Sequence, residues 1–139
     1  MSNSPCILMV EPDVLVRQPI AEYLRECGFK VLEAGNTDEA LLIVNSGTMT
    51  IDIVLADAQA PGKLDGFALA RWIRKNRPSA KVILAGTVAN EAKEAANLCE
   101  KGPVLSKPYD PQLLVDRIKR ALATRDRIKL WSTISDRRA

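Results

Sequence analysis

The sequence predicts an α/β fold, a doubly wound five-stranded parallel sheet with helices on both faces. Three observations predict it. Short apolar runs alternate with stretches whose apolar residues recur at helical spacing. The two patterns alternate five times along the chain, and such alternation builds a parallel sheet. The first run, Cys6–Val10, is apolar throughout, as a strand covered on both faces must be.

The elements follow in order. Cys6–Glu11 reads as a buried strand. From Val14 the apolar residues fall at Val16, Ile20, Tyr23, Leu24 and Cys27, a helical stripe stopped by Gly28. Pro19 lies inside that stripe and should remove one backbone hydrogen bond. Phe29–Ala34 is the second strand. Asn36 or Thr37 can cap a helix carrying Ala40, Leu41, Ile43 and Val44 and ending near Gly47. Ile51–Ala56 is the third strand. Asp65 can cap the next helix, which turns Phe67, Ala70 and Ile73 inward and Arg71, Arg74 and Lys75 outward; Pro78 closes it.

Lys81–Ala85 is the fourth strand, and Glu91–Glu100 a helix with a small apolar face of Ala92, Ala95, Ala96 and Cys99. Val104–Ser106 is a short fifth strand. Asp110-Pro111 is an N-cap followed by proline at the first helical position. The last helix then shows Leu114, Val115, Ile118 and Leu122. Beyond Ala123 the chain reads either as an extension of that helix or as frayed chain.

At 139 residues the chain suits one domain, expected over residues 1–124. Roughly 68–70% of the unfolded surface can be buried at this size, so one core needs no staples. Three cysteines, odd in number and widely spaced, fit neither a disulfide framework nor a zinc site. Cys6 and Cys27 read as small apolar packers in a reduced compartment. The absence of His removes the commonest catalytic base. No apolar stretch approaches the ~18 residues of a membrane span and no signal peptide is evident, so the expected location is cytoplasmic. Residues 125–139 hold Arg125, Arg127, Lys129, Arg137 and Arg138 against Asp126 and Asp136, which accounts for the whole formal charge of +3. Such a basic tail could touch nucleic acid or membrane. Its shortness and its interrupting acids favour a solvated tail, with no nucleic-acid or membrane partner.

Three strand ends carry matching chemistry. Asp57 ends the third strand and opens a loop containing Pro61, Asp65 and Gly66. Glu11 ends the first, and Lys107-Pro108 follows the fifth. Open α/β sheets bind ligands beyond the carboxyl ends of their strands. Two acids and a base at that rim are the ingredients of a site for a cation and a phosphoryl group.

In that order and spacing, Glu11, Asp57-Ala58-Gln59-Ala60-Pro61 with Asp65-Gly66, and Lys107-Pro108 resemble the CheY-like receiver domain of two-component response regulators, over about residues 5–124. The resemblance implies a flavodoxin-like sheet of strand order 2-1-3-4-5. It implies that Asp57 is the phosphoacceptor, served by a histidine kinase or phosphotransfer protein, and that Lys107 pairs with the phosphoryl oxygens. It implies a cis Lys107–Pro108 bond and a Mg2+ ion held by Glu11, Asp57 and the backbone carbonyl of Gln59. The protein would be a stand-alone receiver, not an enzyme beyond self-catalysed phosphoryl transfer and dephosphorylation. It would signal to a downstream protein, as a monomer or weak dimer, through the face formed by the Glu91–Glu100 helix, the fifth strand and the last helix.

The chain departs from the family's pattern in four places. The second acid after the first strand is replaced by Pro12, leaving Asp13 either to reach the metal or to cap the first helix. The switch hydroxyl at the end of the fourth strand is replaced by Gly86, with Thr87 one place later. The aromatic residue three places before the lysine is Val104, so ring rotation there cannot carry a signal. The loop Pro61–Gly66 is one residue longer than usual. A second reading therefore stays open: a pseudo-receiver, a binding module with an impaired Mg2+ site and no efficient phosphorylation. Enzymes on the same fold fit poorly. Pro12-Asp13-Val14-Leu15 cannot cradle a flavin phosphate, and an aspartate-nucleophile phosphatase would want an acid where Gln59 stands.

Overall fold

Period-two alternation along the buried strands divides the core into two halves. A computed structural model describes residues 4–86 and 105–137. Its strands are β1 (Cys6–Val10), β2 (Lys30–Ala34), β3 (Ile53–Asp57), β4 (Lys81–Gly86) and β5 (Leu105–Ser106). Its helices are α1 (Val14–Glu26), α2 (Thr37–Ser46), α3 (Gly66–Asn76) and α4 (Pro111–Arg137). The five strands form one sheet in the order β2-β1-β3-β4-β5, every pair parallel. This is the expected fold class and strand order. Leu8, Val10, Val54, Ala56 and Leu84 face α2 and α3, meeting Ala40, Val44, Phe67, Ala70 and Ile73. Ile7, Met9, Ile53, Leu55 and Ile83 face α1 and α4, meeting Ile20, Leu24, Leu114 and Ile118. Successive strand side chains point to opposite faces, so each strand must be apolar throughout.

Caps set the helix ends. Asp13, Asn36 and Asp65 accept from the backbone N–H of Leu15, Glu39 and Ala68, satisfying donors that each first turn leaves open. Asn36 rather than Thr37 is thus the cap of α2. Asp110 Oδ1 accepts from the N–H groups of Gln112 and Leu113 and starts α4 at Pro111. Gly47, at φ 70, ends α2 in the left-handed conformation.

Three details differ from the sequence expectation. β4 runs one residue further, so Gly86 lies inside the sheet, paired with Ser106. Cys6 is buried, but Cys27 is exposed; as the C-cap of α1 it lies beyond Leu24, which takes the last core position of that helix. α4 crosses position 125 without a break and is 27 residues long, about 40 Å at 1.5 Å per residue. Arg125 Nη1 meets Asp52 Oδ1 at 2.5 Å, and Asp52 Oδ2 accepts the N–H of Cys6 at 2.8 Å. Arg125 is therefore bound to the domain body. The expected Glu91–Glu100 helix, Thr87 and Val104 lie outside the described residues. No helix among the described residues is long and apolar enough to cross a membrane.

Candidate functional site

Strand order brings the three strand ends together. β1 lies beside β3, and the ladder to β2 continues one residue past β1, with Glu11 N donating to Ala34 O at 3.0 Å. Asp57 is the last residue of β3 and pairs with Ala85 of β4. Lys107 directly follows β5, its N–H held by Gly86 O at 3.1 Å, and the Lys107–Pro108 bond is cis. The long lysine side chain reaches back across the sheet rim. Its Nζ lies 2.6 Å from Asp57 Oδ2 and 2.7 Å from Glu11 Oε2.

Each carboxylate divides its oxygens between the ammonium and the backbone. Asp57 Oδ1 accepts from Gln59 N at 2.8 Å, and Glu11 Oε1 from Asp13 N at 3.3 Å. Glu11 is 1% exposed and Asp57 8%. Burial pushes the Glu11 carboxyl above its usual range, with Lys107 opposing the shift. Burial alone would disfavour the lysine ammonium, but the hydrogen bonds it donates to Asp57 and Glu11 outweigh that and raise its pKa. Two carboxylates and one ammonium leave room for further positive charge.

The donor set fits a small hard cation. Mg2+ takes oxygen ligands, keeps several waters and needs only one or two carboxylates. Glu11, Asp57 and the Gln59 carbonyl are oxygen donors of that kind, and both carboxylates already converge on one cation, the Lys107 ammonium. Among the described residues no three His, Cys, Asp or Glu side chains cluster as metal ligands. Pro12 brings no carboxylate, and Asp13 Oδ1 is engaged at 2.9 Å by Leu15 N as the helix cap.

The loop after Asp57 is held by residues whose part the sequence did not reveal. A β-carbon at Gly66 would lie 2.1 Å from the Asp57 carbonyl oxygen, so only glycine lets α3 begin this close to the end of β3. Gly62 adopts φ 141, and a β-carbon there would lie 2.0 Å from Thr37 Oγ1. Thr37 is fully buried. Its hydroxyl lies 2.6 Å from the Leu64 carbonyl and 3.2 Å from that of Pro61, and its N–H donates to Pro61 O at 2.9 Å. Arg17 likewise holds the chain after β1, donating from Nη1 to the Glu11 carbonyl at 2.8 Å and pairing with Glu33 at 3.1 Å. Thr37 and Arg17 look like ordinary helix residues in sequence. Tyr109, half-buried beside Lys107, had one signal: it sits two residues past a lysine already singled out.

Residues 7–119 match the family model of the response regulator receiver domain. The chain belongs to this family. The receiver is 30% identical over 122 residues to the transcriptional regulatory protein AruR of Pseudomonas aeruginosa, covering 86% of this chain and 50% of AruR. It is 34% identical over 128 residues to the sensor kinase CckA of Brucella abortus, covering 91% of this chain and 13% of the kinase. The chain thus spans half or less of the length of these relatives. Among solved structures, a response regulator receiver domain protein from Clostridium thermocellum superposes with a TM-score of 0.78 at 29% identity, covering 91% of this chain and 98% of that one. Receiver domains are in general non-enzymatic modules of phosphorylation-based signalling. They bind Mg2+ at the phosphorylation site and interact with histidine kinases or phosphotransfer proteins and with downstream effectors. In this receiver Gly86 adjoins the loop after Asp57, where an added β-carbon would meet the Ala58 side chain at an ordinary 3.5 Å.

Proposed function

We propose that this receiver accepts a phosphoryl group on Asp57 from a histidine kinase or phosphotransfer protein and signals by protein contact. The observation that carries the reading is the Lys107 ammonium held at once by Asp57 and Glu11, at 2.6 and 2.7 Å. A carboxylate is a weak nucleophile, and phosphoryl transfer depends mainly on positioning and charge neutralisation. Gln59 N–H and Lys107 orient the Asp57 carboxylate. An Asp57 oxygen forms the new P–O bond as the bond to the donor nitrogen breaks, and the leaving imidazole keeps that electron pair. Lys107 is a compact point charge placed to follow a phosphoryl oxygen. Glu11, Asp57 and the Gln59 carbonyl would hold Mg2+, which when bound neutralises phosphoryl charge. The reading carries with it a cytoplasmic location, a downstream protein partner and a monomer or weak dimer. Thr87 remains the proposed switch hydroxyl.

Incubation with acetyl phosphate or phosphoramidate and Mg2+ should add one phosphoryl mass to the intact protein, and Asp57→Asn should abolish it. No adduct, or one that survives in Asp57→Asn, overturns the reading.

The engagement of Asp13 as a helix cap favours a second reading, a pseudo-receiver with an impaired metal site. Pro12→Asp separates the two. A large gain in Mg2+ affinity and phosphorylation supports impairment; unchanged affinity and rate support a competent native site.

A further inference from the structure

The turn that follows Asp57 is anchored at successive backbone groups. Ala58 N donates to Ala85 O at 2.7 Å, Ala60 N to Asp57 O at 3.0 Å, and Gly66 N to Ala58 O at 3.1 Å. Gln59 N donates to Asp57 Oδ1 at 2.8 Å. Pro61 ends the turn. Proline has no N–H, so its carbonyl is the one backbone group through which a hydrogen bond can hold it. Thr37, at the start of α2, brings two donors to that carbonyl. Its N–H, left open in the first turn of a helix, donates at 2.9 Å, and its hydroxyl lies at 3.2 Å. The same hydroxyl lies 2.6 Å from the Leu64 carbonyl. Thr37 thus clamps both ends of the segment 61–64 and leaves Gly62 and Lys63 outside as a tip. The tip is matched to the clamp. Gly62 has φ 141, and a β-carbon there would strike Thr37 Oγ1; Lys63 N donates to Asp38 Oδ1 at 3.3 Å.

The clamp is fixed to the body of the domain. Thr37 is fully buried, and Ala40 and Val44 of the same helix lie in the core. The loop Pro61–Gly66 is one residue longer than usual, and longer loops cost more entropy to hold in place. Closing the loop at Pro61 and Leu64 confines its freedom to the tip, so the turn before it is not displaced. Gln59 stands inside that turn, between the Asp57 carboxylate that holds its N–H and the clamped Pro61. We propose that Thr37 is a positioning residue for the phosphoacceptor site: its hydroxyl clamps Pro61 to Leu64 and so holds the Gln59 carbonyl where a divalent cation can take it. Thr37 acts through Pro61 and is not itself a ligand. Partners that orient metal ligands from outside the coordination shell weigh heavily in affinity. This inference rests on the proposed role of the Gln59 carbonyl in the phosphoacceptor reading.

Thr37→Val tests it, because the shape and the N–H stay and only the hydroxyl is lost. Mg2+ titration followed by amide NMR reads the affinity directly, without phosphorylation. Thr37→Val should weaken Mg2+ binding by about tenfold, the lower end of the effect of such supporting partners. Hydrogen exchange at the Gln59 N–H should speed up in the same variant. Thr37→Ser, which keeps the hydroxyl, should bind Mg2+ as the wild type does. Arg125→Ala is the control, since it loosens the domain at the end opposite Asp57 and should leave Mg2+ affinity unchanged. If Thr37→Val does not fold, Gly62→Ala carries the test, because its β-carbon displaces the Thr37 hydroxyl; the same tenfold loss is expected. A variant that loses urea stability but keeps wild-type Mg2+ affinity overturns the proposal. So does an equal loss of affinity in Arg125→Ala, a Thr37→Ser protein no better than Thr37→Val, or a wild-type protein that binds no Mg2+. The Asp57-dependent adduct with acetyl phosphate reads the phosphoacceptor role separately. If wild type forms it and Thr37→Val binds Mg2+ normally, only the role of Thr37 falls. If wild type forms no adduct and Thr37→Val still weakens Mg2+ binding, the phosphoacceptor reading falls and the positioning of the metal site stands.

Discussion

Gly66 lies so close to Asp57 that a β-carbon at position 66 would stand 2.1 Å from the Asp57 carbonyl oxygen and 2.7 Å from Ala58 Cα. Both neighbours are backbone, at the junction of β3 with its loop, and cannot swing aside as a flexible side chain would. The Gly66 N–H also donates to Ala58 O at 3.1 Å. The start of α3 and the Asp57 end of β3 are therefore positioned as one unit.

Gly66→Ala should destabilise the domain by about 1–3 kcal/mol, the scale of overpacking a close-packed site. The loss should appear in urea unfolding followed by circular dichroism. Displacement of the loop should also lower the yield of acetyl phosphate adduct. A variant as stable as wild type would show that the loop yields to the methyl group.

Gly86 sets the opposite case. It pairs with Ser106 in the sheet, and among the described residues an added β-carbon meets only the Ala58 side chain, at 3.5 Å. Gly86→Thr should leave thermal stability unchanged or raise it by up to about 1 kcal/mol, since threonine suits a strand better than glycine. A marked drop in Tm would show that position 86 has no room for a side chain.

The contrast between these two glycines shows what the sequence could carry. Alternating periods, Gly28, Gly47, Asp65 and Asp110-Pro111 made the elements legible, because local chemistry decides caps and turns. Glu11, Asp57 and Lys107 were legible as a site because each stands at a strand end, and sheet order follows from the family pattern. The clamp of Thr37 on Pro61 and Leu64 was not legible. It joins residues 24 and 27 positions apart, and a threonine at the start of a helix reads first as a cap.

Cysteine reactivity checks the burial on the α2–α3 face. Cys6 is 3% exposed, and burial raises its thiol pKa, with the nearby Asp52 carboxylate adding to the shift. The thiolate is the reactive species. In folded protein at pH 8, iodoacetamide should modify Cys27, which is exposed, and spare Cys6 until urea is added. Peptide mass mapping reads both sites. Equal modification of the two in native protein would contradict the packing of β1.

Arg125 and Asp52 tie the middle of α4 to the start of β3, at the end of the sheet opposite Asp57. Their side chains are 14% and 21% exposed, so the pair is screened less than a surface pair and desolvated less than a core pair. Asp52 also accepts the N–H of Cys6, so Asp52→Ala removes two interactions and Arg125→Ala chiefly one. Arg125→Ala should cost about 1 kcal/mol and Asp52→Ala about 2 kcal/mol, in line with hydrogen bonds to charged groups. Asp52→Asn, which can still accept from Cys6, should fall between them. A double-mutant cycle isolates the pair: a coupling energy of about 1 kcal/mol that weakens in 1 M salt is expected. A coupling near zero would mean that α4 is held by Leu114, Ile118 and Leu122 alone, and that Arg125 adds nothing to the seating of the helix.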